Sequence, residues 1–125
     1  MILVDTSVWV DHLRRGDARL RALLESSSVL THPFVIGELA CGSLADRSVV
    51  LELLGNLPTA AAADAEEALA FIERHRLHGK GLGYVDVHLL AAVALTPGVR
   101  LWTRDKRLHA IGQALGYAQV EEGAH

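Results

Sequence analysis

Four carboxylates stand at points in this chain where an α/β sheet would gather them. They are Asp5 in M-I-L-V-D-T-S, Glu38 in F-V-I-G-E-L-A-C-G, Asp86 in G-Y-V-D-V-H-L-L-A-A and Asp105 in L-W-T-R-D-K-R-L. Each interrupts an apolar segment, where a carboxylate is expensive to bury unless a cation or hydrogen bonds compensate it. Oxygen-only donors of this kind suit Mg2+, with Mn2+ as a substitute, better than zinc or copper. Such an ion lowers the pKa of a bound water and stabilises charge on a phosphate, so the set points to hydrolysis of a phosphodiester. Thr6, Ser7 and Thr103 lie beside the acids and supply hydroxyls to hold them or the waters of an ion.

Two carboxylates about 5 Å apart repel by roughly 3 kcal/mol at an effective dielectric of about 20. Three or four together without a cation should therefore take up protons or splay apart. Taken singly, three of the acids have plainer explanations. Asp5 and Asp105 each fit the cap of a following helix, and Asp86 fits a first-turn acid favoured by the helix dipole. Glu38 has no such account, because it falls in mid-helix with Val35, Ile36, Leu39 and Ala40 around it in an apolar pattern.

The elements that must position these groups are readable from periodicity. Residues 1–4 form an apolar run ended by Asp-Thr-Ser, a buried strand passing into a helix through Val8, Trp9, Val10 and Leu13. A second helix follows on Leu20, Leu23 and Leu24, then a strand at residues 28–31. Pro33 opens a helix through Glu38, Asp46 is the expected cap of the next, and residues 57–60 are a weak strand candidate. Asp64 and Glu67 form a capping box before the clearest helix in the chain. Beyond the glycine-rich H-G-K-G-L-G loop, Tyr84–Leu95 is a strongly apolar helix stopped by Thr-Pro-Gly. Residues 99–103 form a strand, a helix follows through Leu108, Ile111 and Leu115, and Y-A-Q-V is a candidate last strand before a loose E-E-G-A-H tail. Strands alternating with helices predict a three-layer α/β/α sandwich with a central parallel sheet, residues 1–125 forming a single domain. Ligands of such sheets collect outside the carboxyl ends of the strands, where Asp5 and Asp105 fall.

Composition limits the alternatives. Half the residues are hydrophobic, which excludes a disordered chain, and no apolar run approaches the about 18 residues of a membrane span. The start lacks the pattern of a signal peptide, so cytoplasm is the expected compartment. Cys41 is the one cysteine, which rules out an internal disulfide and a cysteine-based zinc cluster; a small core residue is the expectation. A net charge of −3 is unpromising for a nucleic-acid binder, yet it turns slightly positive once the four acids are set aside as neutralised by metal. Basic residues cluster at Arg14 and Arg15, at Arg74, Arg76 and Lys80, and at Arg104, Lys106 and Arg107, which makes these the candidates for phosphate-backbone contacts. Each cluster alone reads more readily as a solvated helix face. The histidines, among them His75, His78 and His88, show no metalloprotease-type pairing and are assigned to surfaces or helix ends; Trp9 and Trp102 are assigned to the core. No glycine-rich phosphate loop of standard form is present.

With the four acids placed in order, the chain resembles the PIN-domain family, and more narrowly the VapC-type toxins of toxin–antitoxin pairs. The resemblance covers nearly the whole length; its most specific parts are M-I-L-V-D-T-S-V-W-V, V-I-G-E-L-A-C-G, G-Y-V-D-V-H-L-L-A-A and L-W-T-R-D-K-R-L. It implies that Asp5 and Asp86 bind Mg2+ directly or through water. Glu38 would complete the acidic pocket and help activate the attacking water, Asp105 would support the metal more peripherally, and Thr103 would supply a supporting hydroxyl. It further implies endoribonuclease activity, commonly on structured RNA such as tRNA, with inhibition by a cognate antitoxin that covers the active-site groove, and a homodimer. One departure is Leu108, where an aromatic residue is frequent.

Two other phosphate-handling enzymes fit less well. A haloacid-dehalogenase-type phosphatase needs a second Asp where Ser7 stands, and a response-regulator receiver domain needs a phosphorylatable Asp that residues 57–60 lack. The non-enzymatic alternative is a PIN-like fold serving only to bind RNA or protein. An intact acid set favours the enzyme.

Overall fold

The computed structural model describes residues 1–121. Three parallel strands form the centre: β1 (Ile2–Val4), β2 (Val29–Leu30) and β3 (Arg100–Trp102), in the order β2-β1-β3. Short apolar strands without alternation are what a parallel sheet covered on both faces requires. Leu3 and Val4 point to opposite faces and both are fully buried, as are Leu101 and Trp102 at 1% exposure each. Helices therefore cover both sides, and the α/β/α sandwich is the fold observed.

The helices, in chain order, are α1 (Thr6–Arg15), α2 (Ala18–Glu25), α3 (Pro33–Cys41), α4 (Arg47–Gly55), α5 (Ala65–His75), α6 (Tyr84–Leu95) and α7 (Lys106–Ala114). The Asp64–Glu67 capping box is present at the start of α5, each side chain taking the other's backbone N–H. Helix α6 buries seven consecutive residues, Val87 to Val93, as its unbroken apolar sequence demands. No helix among the described residues is long and apolar enough to cross a membrane.

The outer strands are weaker than the sequence pattern. Residues 57–60 and 117–120 contribute one parallel bridge each, Thr31 with Thr59 and Leu101 with Ala118. Edge segments with so few paired groups offer little template for adding a foreign strand. Asp46 precedes α4 in a left-handed conformation and makes no side-chain cap, so its expected capping role is not observed. Cys41 is exposed rather than packed in the core, because it lies at the last turn of α3 where the chain leaves the helix. Of the expected loose tail, Glu121 is held by Trp102 and Arg104, and residues 122–125 lie outside the described residues.

His88 is buried at 4% exposure, not at a surface or helix end, and His32 is buried beside it. Position 88 follows Val87 in the stretch of α6 from Val87 to Val93 that is buried without a break. The His32 ring lies against Phe34 and His88, with ring centroids 5.2 and 6.3 Å away, and its Nδ1 accepts the Phe34 N–H at 3.0 Å to cap α3. Burial, reinforced by the neighbouring His88, holds the His32 pKa down at about 4. A histidine kept neutral by folding contributes stability above its unfolded pKa of 6.5 and loses it as pH falls toward the folded value. Stability should therefore drop by up to about 3 kcal/mol between pH 6.5 and pH 4, ahead of the carboxylates. Denaturant unfolding across this range, with NMR titration of the His32 ring, measures it; a His32 that titrates near 6.5 in the folded protein would contradict the assignment.

Candidate active site

Register places the first acid. Val4 pairs with Trp102 in the parallel β1–β3 ladder, so the next residue on each strand, Asp5 and Thr103, emerge side by side at the carboxyl edge of the sheet. The Asp5 N–H continues the ladder to the Trp102 carbonyl at 2.9 Å. Asp5 occupies the N-cap position of α1, yet its side chain makes no capping bond. Its Oδ2 instead accepts from the Thr103 hydroxyl at 2.6 Å and from the Ser7 hydroxyl at 2.8 Å. Both bonds converge on one oxygen of a carboxylate that is only 6% exposed, and no hydrogen bond among the described residues reaches Oδ1.

The two hydroxyls are in turn fixed by backbone. The Arg104 N–H donates to Ser7 Oγ at 3.0 Å and the Asp105 N–H to Thr103 Oγ1 at 3.1 Å. Residues 103–105 thus wrap the hydroxyl pair and leave each proton for Asp5.

The other acids are held differently. Asp86, in the first turn of α6, is half-buried and its Oδ2 takes the Gly83 N–H at 3.0 Å. Burial raises the Asp86 pKa; the Gly83 bond partly offsets that, and the charges of Asp5, Asp105 and Glu38 add to the rise. The other three acids therefore act on Asp86 through space. Asp105 is exposed and caps α7, its Oδ1 accepting the Leu108 N–H at 2.9 Å, so the capping explanation applies to it in full. Glu38 is also exposed, although Val35 and Leu39 on either side are buried, because position 38 lies on the outer face of α3. Its Oε1 accepts the Thr6 hydroxyl at 2.7 Å. The four apolar settings thus bury Asp5 fully and Asp86 in part, and leave Glu38 and Asp105 exposed.

Two depressions flank this edge. One, of about 590 Å³, is lined by Gly81, Asp86, Asp105, Lys106 and Arg107. The other, of about 570 Å³, lies between α1, α3 and the start of α4, with Glu38 and Arg14 on its wall. Arg107 lies over Gly81, whose left-handed backbone and missing Cβ let the guanidinium pass.

The sequence-derived basic candidates separate accordingly. Arg14, Lys106 and Arg107 border acid-bearing depressions; Arg74 lines a different cavity, between α5 and α6, that contains none of the four acids. Arg15 pairs with Asp11 at the surface. Arg104 is turned inward: Nε donates to Glu121 at 2.8 Å, Nη1 to Asp11 at 2.8 Å and Nη2 to Asp17 at 2.5 Å, with the guanidinium over the Trp102 ring. Three of the five guanidinium N–H groups are thereby engaged within the chain, so these carboxylates compete with any phosphate for Arg104. Asp11, Asp17 and Glu121 had no signal in the linear sequence beyond the i, i+4 spacing of Asp11 and Arg15.

Among the described residues, no three His, Cys, Asp or Glu side chains stand close enough to form a ready-made metal cluster. The donor chemistry nevertheless suits a hard, hydrated cation. Mg2+ typically uses one or two carboxylates and keeps several waters, and Asp5 and Asp86 are the more enclosed acids of a set whose mutual repulsion a cation would relieve.

The profile of the PIN domain matches residues 2–114. Over 122 residues, 98% of either chain, the sequence is 54% identical to Ribonuclease VapC32 of Mycobacterium tuberculosis, in strains CDC 1551 and H37Rv alike. The chain belongs to the PIN-domain family, in its VapC branch. Among solved structures, FitAcB from Neisseria gonorrhoeae superposes with a TM-score of 0.62 at 23% identity, covering 90% of this chain and 94% of that one, a likeness of fold. PIN-domain ribonucleases generally depend on a divalent metal.

For this PIN-domain chain the electrostatics give a direct expectation. An acid whose pKa is raised by folding weakens the fold once it ionises, as pH rises through the folded value. Asp86→Asn, which keeps an acceptor for the Gly83 N–H, should therefore raise the thermal midpoint at pH 7 in metal-free buffer, with the gain vanishing below pH 4. A lowered midpoint at pH 7 would make Asp86 a structural acid.

Proposed function

We propose that this chain is an endoribonuclease that uses Mg2+, or Mn2+ in its place, and is the toxin half of a type II toxin–antitoxin pair. The observation that carries the reading is Asp5: a buried carboxylate at the sheet edge, aligned by two hydroxyls on one oxygen, in a chain that matches Ribonuclease VapC32 from end to end. A carboxylate built only for stability would cap α1, which this one does not do.

Asp5 and Asp86 are the residues proposed to hold the metal. When bound, the ion would supply positive charge for the scissile phosphate and acidify water. Asp5 is oriented in advance by Ser7 and Thr103, so little reorganisation is needed on loading. Glu38, exposed and tethered to Thr6, is the proposed acceptor of a proton from the attacking water. Asp105 is committed to its helix cap through Oδ1, which suits the peripheral role expected of it. Attack in line on the phosphodiester then proceeds without a covalent enzyme intermediate.

Arg14, Lys106 and Arg107 are the proposed phosphate contacts, and structured RNA such as tRNA the proposed substrate class; nothing at this surface reads a base sequence. The antitoxin is proposed to cover the groove at α1, α3 and α4. That groove shares Leu13 and Val50 with an apolar cavity lined by Trp9, Leu24, Leu53 and Leu57, and Leu53 is largely exposed. Such a surface suits the apolar side of an amphipathic partner segment. A homodimer and a cytoplasmic location complete the proposal.

The protein, stripped of antitoxin, is to be incubated with total cellular RNA and Mg2+ or Mn2+, beside EDTA and Asp5→Asn controls. Discrete cleavage is expected, with both controls lowering the rate about 100-fold or more, the several kcal/mol that a metal contributes. Absence of both cleavage and calorimetric metal binding would favour a non-catalytic binding module.

Neutralising Lys106 and Arg107 together should flatten the salt dependence of RNA binding, by roughly 0.7 in log–log slope for every single-strand phosphate they neutralise in the native protein. Arg74→Ala should leave the slope as it is, and the reverse pattern would move the RNA path to α5.

A further inference from the structure

We propose that Arg104 is a positioning residue for the Asp5 carboxylate, acting through its own backbone N–H on Ser7. Its activity arm rests on the ribonuclease reading above; its structural arm does not.

Arg104 sits between Thr103 and Asp105, the two residues that complete the hydroxyl cradle. Its N–H is the donor that occupies the Ser7 oxygen, so where this backbone sits decides where the Ser7 proton is aimed. The loop itself is short and connects β3 to α7; Thr103 and Asp105 fix its two ends through Asp5 and the α7 cap, and the Arg104 side chain anchors its middle against displacement toward solvent. That anchorage comes from three separate parts of the chain: Asp11 on α1, Asp17 at the start of α2, and Glu121 beyond the last strand-like segment.

Each strut is itself tied down. Asp17 caps α2 through the Leu20 N–H at 2.9 Å, and its own N–H donates to His12 Nδ1 at 3.0 Å. Glu121 also accepts the Trp102 indole N–H at 2.6 Å, and Trp102 is the residue paired with Val4 in the sheet. The guanidinium is thereby referenced to the same β1–β3 ladder that places Asp5.

The electrostatics tie the three struts to Arg104 in particular. Three carboxylates converge on this one guanidinium, while Arg15 also pairs with Asp11 and the Arg19 charge also acts on Glu121. For Asp11, the Arg104 bond is the main cause that lowers the pKa; for Asp17 and Glu121, burial pushes upward and is outweighed by Arg104 together with the Leu20 N–H on Asp17 and the Trp102 N–H and Arg19 charge on Glu121. A planar fork with donors in three directions can satisfy this set, whereas the compact ammonium of lysine keeps the charge but not the geometry. Positioning by geometry and neutralisation by charge are therefore separable by one substitution.

The test uses Arg104→Lys and, as a gentler variant, Glu121→Gln, which removes one strut's charge and leaves an acceptor for the Trp102 N–H. Amide hydrogen exchange by NMR reads the loop without any catalysis. The amides at positions 104 and 105 should exchange about tenfold faster in Arg104→Lys, while amides of the β1–β3 ladder keep their protection. In RNA cleavage, kcat should fall by about 10- to 100-fold with KM and salt dependence unchanged, the range typical of residues that orient a metal ligand. Glu121→Gln should move both readouts in the same direction by less.

Unchanged exchange at both amides, or a kcat equal to that of the unsubstituted protein, would overturn the proposal and leave an ordinary surface ion-pair cluster. A raised KM with a flatter salt slope would overturn it in favour of a direct RNA contact. Loss of ladder protection in both variants would reduce Arg104 to a stabilising residue. If the unsubstituted protein cleaves no RNA, the ribonuclease reading fails, and the exchange measurement still decides whether Arg104 holds the Ser7 cradle.

Discussion

A carboxylate buried at the end of a central strand has to be compensated on the spot, and the site is organised around that requirement. Asp5 is fixed at the sheet edge by the in-register pairing of Val4 with Trp102, and the same register delivers Thr103 to its side. Ser7 arrives from the first turn of α1, because a helix that starts at Thr6 turns its second residue back over the strand end. Shifting the β1–β3 pairing by one residue would reverse the facing of every side chain on one strand and separate Asp5 from Thr103. The chemistry of this edge is thus conditional on a ladder only three residues long.

The four acids divide into kinds. Asp5 is held by side chains from two other positions, Asp86 by the backbone at its own helix start, Asp105 by its helix cap and Glu38 by one hydroxyl on an exposed helix face. In the proposed reading, a graded set of this sort would give a hydrated cation a rigid ligand and a half-rigid one, and would leave an exposed carboxylate free to move with a proton. The raised pKa of Asp86 records the repulsion that such a cation would relieve, with burial as its largest cause.

Basic residues adjacent in sequence serve opposite ends. In T-R-D-K-R the first arginine turns inward to three carboxylates, while Lys106 and Arg107 face the depression shared with Asp86 and Asp105. The helix start at Lys106 makes this division: residue 104 is still in the extended link leaving β3, and residues 106 and 107 begin a helix whose first turn is exposed. Charge counts along the chain are blind to such a split, since both arrangements contribute equally to the net charge.

The strands at residues 1–4 and 99–103, the capping box at Asp64 and Glu67, the buried α6 and the family likeness are all written in local pattern, because periodicity and end chemistry depend on neighbours a few residues away. The four acids were legible for the same reason: each breaks an apolar run. Which of them is buried was not, since Glu38 shares its run with Val35 and Leu39 yet faces outward by its angle around α3. Nor could the sequence show that Asp11, Asp17 and Glu121 meet on Arg104, partners up to 93 positions away from it that no spacing rule connects. Local sequence determined the elements and the identity of the reactive groups. Tertiary structure alone decided which hydroxyls serve Asp5, which cation is spent inside, and where His32 and His88 are buried, because those outcomes depend on register and on contacts between elements distant along the chain.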